Sequence, residues 1–271
     1  MSVSIPPIGF IGGGQMAEAI IRGLLATGLL APEHINVVEP DSRRCDYLLQ
    51  TYKVHCTQDA GFLCAHSDLL VLAVKPQLAA TVLESYHPFV DGRHLVISIM
   101  AGVSLSNLAA AFDVPVRLIR VMPNTPSLVL AGASAYCANA EATVEDRERA
   151  NNLLSAIGTC IEVPEHLLDA VTGLSGSGPG YVFTFIEAMI DGGVLAGLPR
   201  PIAEQLVLQT VYGSAKLAME TGEHPAVLKG RVTSPGGTTI TGIQVLEEGG
   251  LRGLVMGAVE AATERSKELG A

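Results

Sequence analysis

Gly9-Phe10-Ile11-Gly12-Gly13-Gly14-Gln15-Met16-Ala17 is the stretch that decides the fold. It joins an apolar run, Ile8 to Ile11, to a helical pattern that continues through Leu25, and the junction carries G-x-G-x-x-A. Each small residue has a reason. Gly12 permits a tight turn and Gly14 lets a pyrophosphate approach the backbone. Ala17 lets helix and strand pack closely, and the helix N-terminus faces the phosphates. A glycine-rich turn alone is a weak signal, but strand, turn and helix in this order make a candidate dinucleotide site. Gln15 and Met16, which open the helix, join Gly12 and Gly14 as its cofactor-side residues.

The same alternation extends outward. Ile35 to Val38 reads as a second strand, and Ser42 as the cap of a helix running towards Tyr52. Leu69 to Val74 is apolar on both faces, as a buried parallel strand should be. Leu95 to Ile99, Val116 to Val121 and Ala133 to Cys137 supply further strands, and Thr143 opens a helix with Asp146 completing a capping box. Strands alternating with helices predict a Rossmann-like, doubly wound parallel sheet. After Pro164 the strand signals vanish. Helical runs follow at Tyr181 to Ala196, Pro201 to Thr221, Thr239 to Glu248 and Leu251 to Leu269. The expected division is therefore 1–164, dinucleotide-binding, and 165–271, all helical. The Tyr181–Leu195 run is apolar nearly all round (Val182, Phe183, Phe185, Ile186, Met189, Ile190, Val194), so it must be buried on every side. A subunit interface is the expected cover, with a central helix of a monomeric bundle as the alternative.

Composition narrows the class. The 271 residues suit one large or two modest domains at about 150 residues each. With 48% hydrophobic and 16% charged residues, a core is easily supplied. The net charge of −10 offers no electrostatic footprint for nucleic acid or an anionic membrane. The longest apolar run, Leu69 to Val74, falls far short of the ~18 residues that span a bilayer. Five cysteines without a C-x-x-C pair argue against zinc and against a disulfide framework, so reduced thiols in a cytoplasmic protein are expected. Scattered histidines argue against any metal site. The first strand begins within ten residues of the start, and no signal peptide is expected.

Several loops fall where open α/β sheets bind ligands, at the carboxyl ends of strands. Val74-Lys75-Pro76 closes one strand, and Ser98-Ile99-Met100-Ala101-Gly102 follows another. Met122-Pro123-Asn124-Thr125-Pro126 brackets two polar residues with prolines. At the end of the second strand the signals conflict. Glu39 suits the ribose hydroxyls of NAD, whereas Ser42, Arg43 and Arg44 suit the 2′-phosphate of NADP; the set leans to NADPH. In the helical half, Leu174-Ser175-Gly176-Ser177-Gly178-Pro179-Gly180 and Thr233-Ser234-Pro235-Gly236-Gly237-Thr238-Thr239 each feed a helix. They leave N–H groups and hydroxyls at its N-terminus, a ready carboxylate site. No hydrolytic constellation emerges, so a redox enzyme whose cofactor carries the reactive hydride is the chemistry that remains.

The chain resembles the pyrroline-5-carboxylate reductases over nearly its whole length. The resemblance is carried by Ala170 through Ser175-Gly176-Ser177-Gly178-Pro179, Asp191-Gly192-Gly193-Val194, Gly197-Leu198-Pro199-Arg200 and Gln209-Thr210. It continues through Gly222-Glu223-His224-Pro225 and Thr233 through Thr239. Gly180 departs from it, where alanine is expected in many members. The resemblance implies hydride transfer from NADPH or NADH to the imine carbon of Δ1-pyrroline-5-carboxylate, giving L-proline. It also implies a helical domain that interleaves with its twin in a homodimer, and in some members a ring of five dimers. By the same resemblance the substrate lies on Ser234, Gly237, Thr238 and Thr239, with Met122 beside it, and Thr239 near the ring nitrogen. The nicotinamide end rests on Val74, Lys75, Pro76, Met100, Ala101, Pro123 and Asn124. Two other readings stand beside it. A ketoacid or hydroxyacid reductase would want an acid such as Lys216 or His224, and a nucleotide sensor would not need the two substrate loops.

Overall fold

In the computed structural model, residues 4–270 are described. The strands are β1 (Ile8–Ile11), β2 (Ile35–Val38), β3 (His55–Thr57), β4 (Leu69–Leu72), β5 (Leu95–Ser98), β6 (Arg117–Met122), β7 (Gly132–Ala138) and β8 (Gly158–Glu162). Between them lie α1 (Gln15–Thr27), α2 (Ser42–Tyr52), α3 (Ala60–Ala65), α4 (Ala79–Tyr86), α5 (Leu105–Ala109) and α6 (Val144–Ser155). The rest is helical: α7 (Leu168–Val171), a turn of π-helix at Thr172–Gly176, α8 (Gly178–Leu195), α9 (Arg200–Thr221), α10 (Pro225–Arg231), α11 (Thr238–Glu248) and α12 (Leu251–Gly270). The Rossmann-like sheet followed by helices is the architecture expected. Two short strands, β3 and β8, escaped the sequence reading.

The strands lie in the order β3-β2-β1-β4-β5-β6-β7-β8. The chain winds outward from β1 to β3, then returns to lay β4 on the other side of β1. That reversal opens a crevice between the carboxyl ends of β1 and β4. The sheet departs from the wholly parallel one expected, because β7 runs antiparallel to β6. Only residues 123–131 join those strands, fewer than the dozen or so that a crossover to a parallel neighbour requires. Helix caps follow local chemistry. The Thr143–Asp146 capping box forms, but α2 is capped by Asp41, whose carboxylate accepts from the Arg43 N–H, so Ser42 is its first helical residue.

The cysteines correct a further expectation. Cys64, Cys137 and Cys160 are free thiols, but Cys45 and Cys56 are joined in a disulfide. Their spacing of 11 residues fits no local motif. The return of the chain from α2 into β3 brings their Cα atoms to 5.4 Å, within bridging range.

Contacts divide the chain into two units, one running to Ser177 and resumed from Ala261, the other Gly178–Glu260. The first has apolar layers on both faces of the sheet, one around Phe10, Ile20, Leu24 and Ile97, the other around Leu70, Leu72, Leu83 and Leu108. The second has almost no core of its own; α8 has no buried residue, and Phe183 is 63% exposed. Among the described residues, no helix is long and apolar enough to cross a membrane, and no cluster of His, Cys, Asp and Glu is suited to a metal.

Candidate active site

Gly12 has φ of +97°, and a Cβ there would lie 2.8 Å from the Ala73 carbonyl oxygen, so glycine is required twice over. A Cβ on Gly14 would meet nothing within 4 Å. The backbone is open where a diphosphate would approach, and Gly14 caps α1 without any side chain filling the N–H groups. Ala17 is fully buried. The cradle fits a dinucleotide phosphate.

Gly13 is held from both sides. Its N–H donates to Glu39 Oε2 at 2.9 Å, and its carbonyl accepts from Arg44 Nε at 2.6 Å. The other Glu39 oxygen accepts from the Asp41 N–H. Arg44 also pairs with Glu18, which accepts from the hydroxyls of Tyr47 and Tyr52. Burial alone would raise the Glu18 pKa; these hydrogen bonds and the Arg44 charge outweigh it and hold the carboxyl below its usual value. The Tyr52 hydroxyl is pushed up, by burial first and by Glu18 second. Arg44 and Glu18 were missed as loop-holding residues. Their contacts span 26 to 34 positions, and nothing local in the sequence announces them. Arg43 and Ser42 are exposed on the first turn of α2.

Across the crevice, Val74 lies against Gly12, while Lys75 and Pro76 are exposed. Met100 is buried, its N–H donating to Ser98 Oγ at 3.3 Å, and Ala101 is exposed beside it. Pro76, Ala101, Gly102, Thr172, Ser177 and Arg265 help line a cleft of about 440 Å³. Pro123 and Asn124 are buried. The Asn124 amide donates to the Ser175 carbonyl at 3.1 Å and accepts from the Ala133 N–H at 2.9 Å, tying the loop after β6 to the π-helical turn. Met122 reaches the same turn, its side chain against Gly176.

Of the residues expected on the substrate side, Met122 lies in the first unit and Ser234, Gly237, Thr238 and Thr239 in the second. Gly237 is the N-cap of α11 and carries no side-chain cap. A Cβ there would collide with Ser234 Oγ, so glycine seats that hydroxyl at the helix mouth. The turn is closed by the Gly237 N–H donating to the Ser234 carbonyl at 3.0 Å, with Gly236 at φ +65°. Thr238 and Thr239 form the first exposed turn. Ser234, Gly237, Thr238 and Thr239 thus converge on one helix N-terminus. The Gly180 departure is harmless within the chain, since a Cβ there would meet nothing within 4 Å.

The sheet with its phosphate cradle, followed by a helical region, defines a two-part nicotinamide-dependent reductase. Residues 165–269 match the family model for pyrroline-5-carboxylate reductase dimerisation, and residues 7–102 match that for coenzyme F420-dependent NADP oxidoreductase. The chain is 52% identical to pyrroline-5-carboxylate reductase of Synechocystis, covering 97% of this chain and 98% of that one. It is 43% identical to human pyrroline-5-carboxylate reductase 2, over 97% of this chain and 83% of that one. The solved enzyme from Coxiella burnetii superimposes with a TM-score of 0.93 at 39% identity, covering 98% and 99% of the two chains. That from Plasmodium falciparum, solved with NADP bound, gives 0.88 at 34% and covers both fully. The chain belongs to the pyrroline-5-carboxylate reductase family. It catalyses the NAD(P)H-dependent reduction of the C=N bond of Δ1-pyrroline-5-carboxylate to L-proline.

Proposed function

We propose that residues 1–164 bind the dinucleotide and residues 165–271 bind the imine and dimerise, in a cytoplasmic enzyme that favours NADPH over NADH. The observation that carries the substrate half is the α11 N-terminus. A carboxylate there takes the uncapped N–H groups of Thr238 and Thr239 and the Ser234 hydroxyl, with the helix dipole adding to the attraction. Gly237 leaves room for it, and Met122 borders the ring. Thr239, next along the turn, orients the ring nitrogen through its hydroxyl.

Gly12, Gly14, Gln15 and Met16 take the diphosphate, and Val74, Lys75, Pro76, Met100, Ala101, Pro123 and Asn124 the nicotinamide end. When bound, the reduced cofactor supplies the hydride that reaches C5 of the imine. The protein's part is to hold the ring in register for it, which is where most of the rate arises. A protonated imine is the better electrophile, so the proton arrives before or with the hydride. Thr239 has no activating partner among the described residues, and an alcohol of that kind is a poor proton source at neutral pH, so its role is orientation and not acid catalysis. For the 2′-phosphate, Arg43 is exposed and in no ion pair among the described residues, with Ser42 beside it, while Glu39 is occupied by two backbone N–H groups. The NADP bound by the Plasmodium falciparum relative supports the same preference. The exposed apolar faces of α8 and α9 support a homodimer through the helical region, and the family resemblance supports a ring of five such dimers.

The test follows nicotinamide oxidation on adding pyrroline-5-carboxylate, with NADPH and NADH in separate assays, for wild type and Ser234→Ala. A kcat/KM ratio favouring NADPH and a raised imine KM in the variant are expected. A ratio favouring NADH overturns the cofactor preference, and wild-type kinetics in Ser234→Ala overturns the carboxylate site.

A further inference from the structure

The Cys45–Cys56 disulfide stands apart from the residues given a role above, yet it sits at the ligand-binding edge of the sheet. Cys56 is in the middle of β3, paired with Val37, one residue short of the carboxyl end of that pairing. Cys45 lies in the first turns of α2, directly after Arg44, and its Sγ is 3.6 Å from the Glu39 carbonyl oxygen. Around the bridge the same edge is stitched by backbone and side chain: the Glu39 N–H donates to the Thr57 carbonyl at 3.2 Å, and Gln58 Nε2 to the Pro40 carbonyl at 3.0 Å. The bridge therefore staples the start of α2, which carries Ser42, Arg43 and the loop-holding Arg44, to an edge strand of three residues. Both cysteines are half-buried and lie at the edge of the sheet and not in its middle, the side from which a thiolate would approach.

We propose that Cys45 and Cys56 form a redox modification site whose reaction partner is a dithiol, and that opening the bridge weakens cofactor binding at the Glu39–Arg44 edge. The second half rests on the cofactor placement proposed above. A thiolate of the dithiol attacks one sulfur, the Cys45–Cys56 bond breaks, and a mixed disulfide forms with the other cysteine leaving as thiolate. The second thiol of the reductant then attacks the mixed disulfide and releases the remaining cysteine. Two electrons pass to the pair and the reductant leaves as its own disulfide. Two protons, those of the original dithiol, end on Cys45 and Cys56. The burial of Leu48 and the hold of Arg44 on Glu18 and Gly13 are independent of the bridge, so the region is expected to stay folded on reduction. It removes the covalent restraint that pre-organises the first turn of α2, and ordering that turn is then charged to binding. In a cytoplasmic protein a disulfide is characteristically of this switching kind.

The other thiols make the site readable. Burial is the largest cause in each case and pushes Cys64 and Cys137 up to about 11 and Cys160 up to about 12, so all three hold little thiolate at neutral pH. The air-oxidised and the dithiothreitol-reduced chain would each be treated with iodoacetamide while folded and mapped by mass spectrometry. Kd for NADPH would be measured on both by fluorescence titration. Expected are a linked Cys45/Cys56 peptide pair before reduction and two alkylated cysteines after it. Kd should rise about 3- to 10-fold on reduction, the pre-organisation being lost. The double variant Cys45→Ser/Cys56→Ser should bind as the reduced chain does, whatever the reductant. Ready alkylation of both cysteines without reductant overturns the bridge. An unchanged Kd with the pair fully reduced overturns its effect on binding. Absence of NADPH binding in both forms refutes the cofactor placement instead, and the peptide map still decides the bridge.

Discussion

The two units solve the burial problem in opposite ways. The first encloses its sheet between helices, and nearly every fully buried apolar side chain of the protein lies in it. In the second only Ala203 and Val207 are buried, while Phe183, Leu195, Leu206, Leu208 and Met219 stand more than half exposed. Apolar content is comparable along the chain, so the difference is one of partners. A sheet with helices on both faces closes on itself, whereas α8, apolar all round, needs surface from another molecule. A self-sufficient half and a half that awaits a second copy give different expectations for every substitution.

The largest expected effect breaks the second half. Phe183→Asp removes about 2–3 kcal/mol of burial from each of two copies and adds an unpaired charge. The variant should sediment as a monomer and lose nearly all activity, with the first unit still folded by circular dichroism. A dimer of wild-type affinity would break the contrast between the halves. In the first half, Gly12→Ala should cost about 3 kcal/mol in stability, since it combines left-handed strain with collision against Ala73. Gly14→Ala sharpens the point: its backbone is extended and its surroundings open, so stability should move by no more than about 0.5 kcal/mol. NADPH affinity, measured by titration, should nevertheless fall about tenfold in that variant, or about 1.4 kcal/mol.

Thr239→Ala is expected to lower kcat/KM by about 10- to 100-fold, equal to about 1.4–2.7 kcal/mol, with the dimer intact. Unchanged kinetics would remove Thr239 from the mechanism. The smallest effect concerns Glu18, whose carboxyl is held below its ordinary value of 4.5. A depressed carboxyl contributes stability that is present above the unfolded value and is lost as pH falls through the folded one. Acid titration of wild type should therefore show stability declining from about pH 4.5 downward, and Glu18→Gln should flatten that part of the curve. A curve of identical slope in the variant would assign the acid sensitivity elsewhere.

The sequence made the first half legible because its signals are local. The glycines at 12 and 14, the apolar run at 69–74 and the Thr143 capping box each act within a few residues; the turn and the capping box form as read, and the run gives a strand that ends at Leu72. What stayed hidden depends on contacts far apart in sequence. β3 is three residues at an edge, too short for a periodicity. The antiparallel turn of β7 follows from a connection length, and the Cys45–Cys56 bridge from a return path. For the site, the loops at 74–76, 100–101, 122–124 and 233–239 were visible because small residues and prolines punctuate them. The side chains that brace the glycine turn and the loop after β6, Arg44 on Gly13 and Asn124 on Ser175, bridge 31 and 51 positions and leave no local mark.

The grip on Gly13 also limits how this enzyme can be re-engineered. Glu39 lies on the edge proposed above to bear on cofactor choice, yet its two oxygens already serve the Gly13 and Asp41 N–H groups. Replacement by serine or alanine would strip the phosphate loop of an acceptor as well as removing a charge. Glutamine keeps one acceptor oxygen but turns an amide N–H₂ towards the other donor. A substitution at this position therefore has to rebuild the loop's support in the same step, whereas Arg43, exposed and in no ion pair among the described residues, can be replaced with that support left intact.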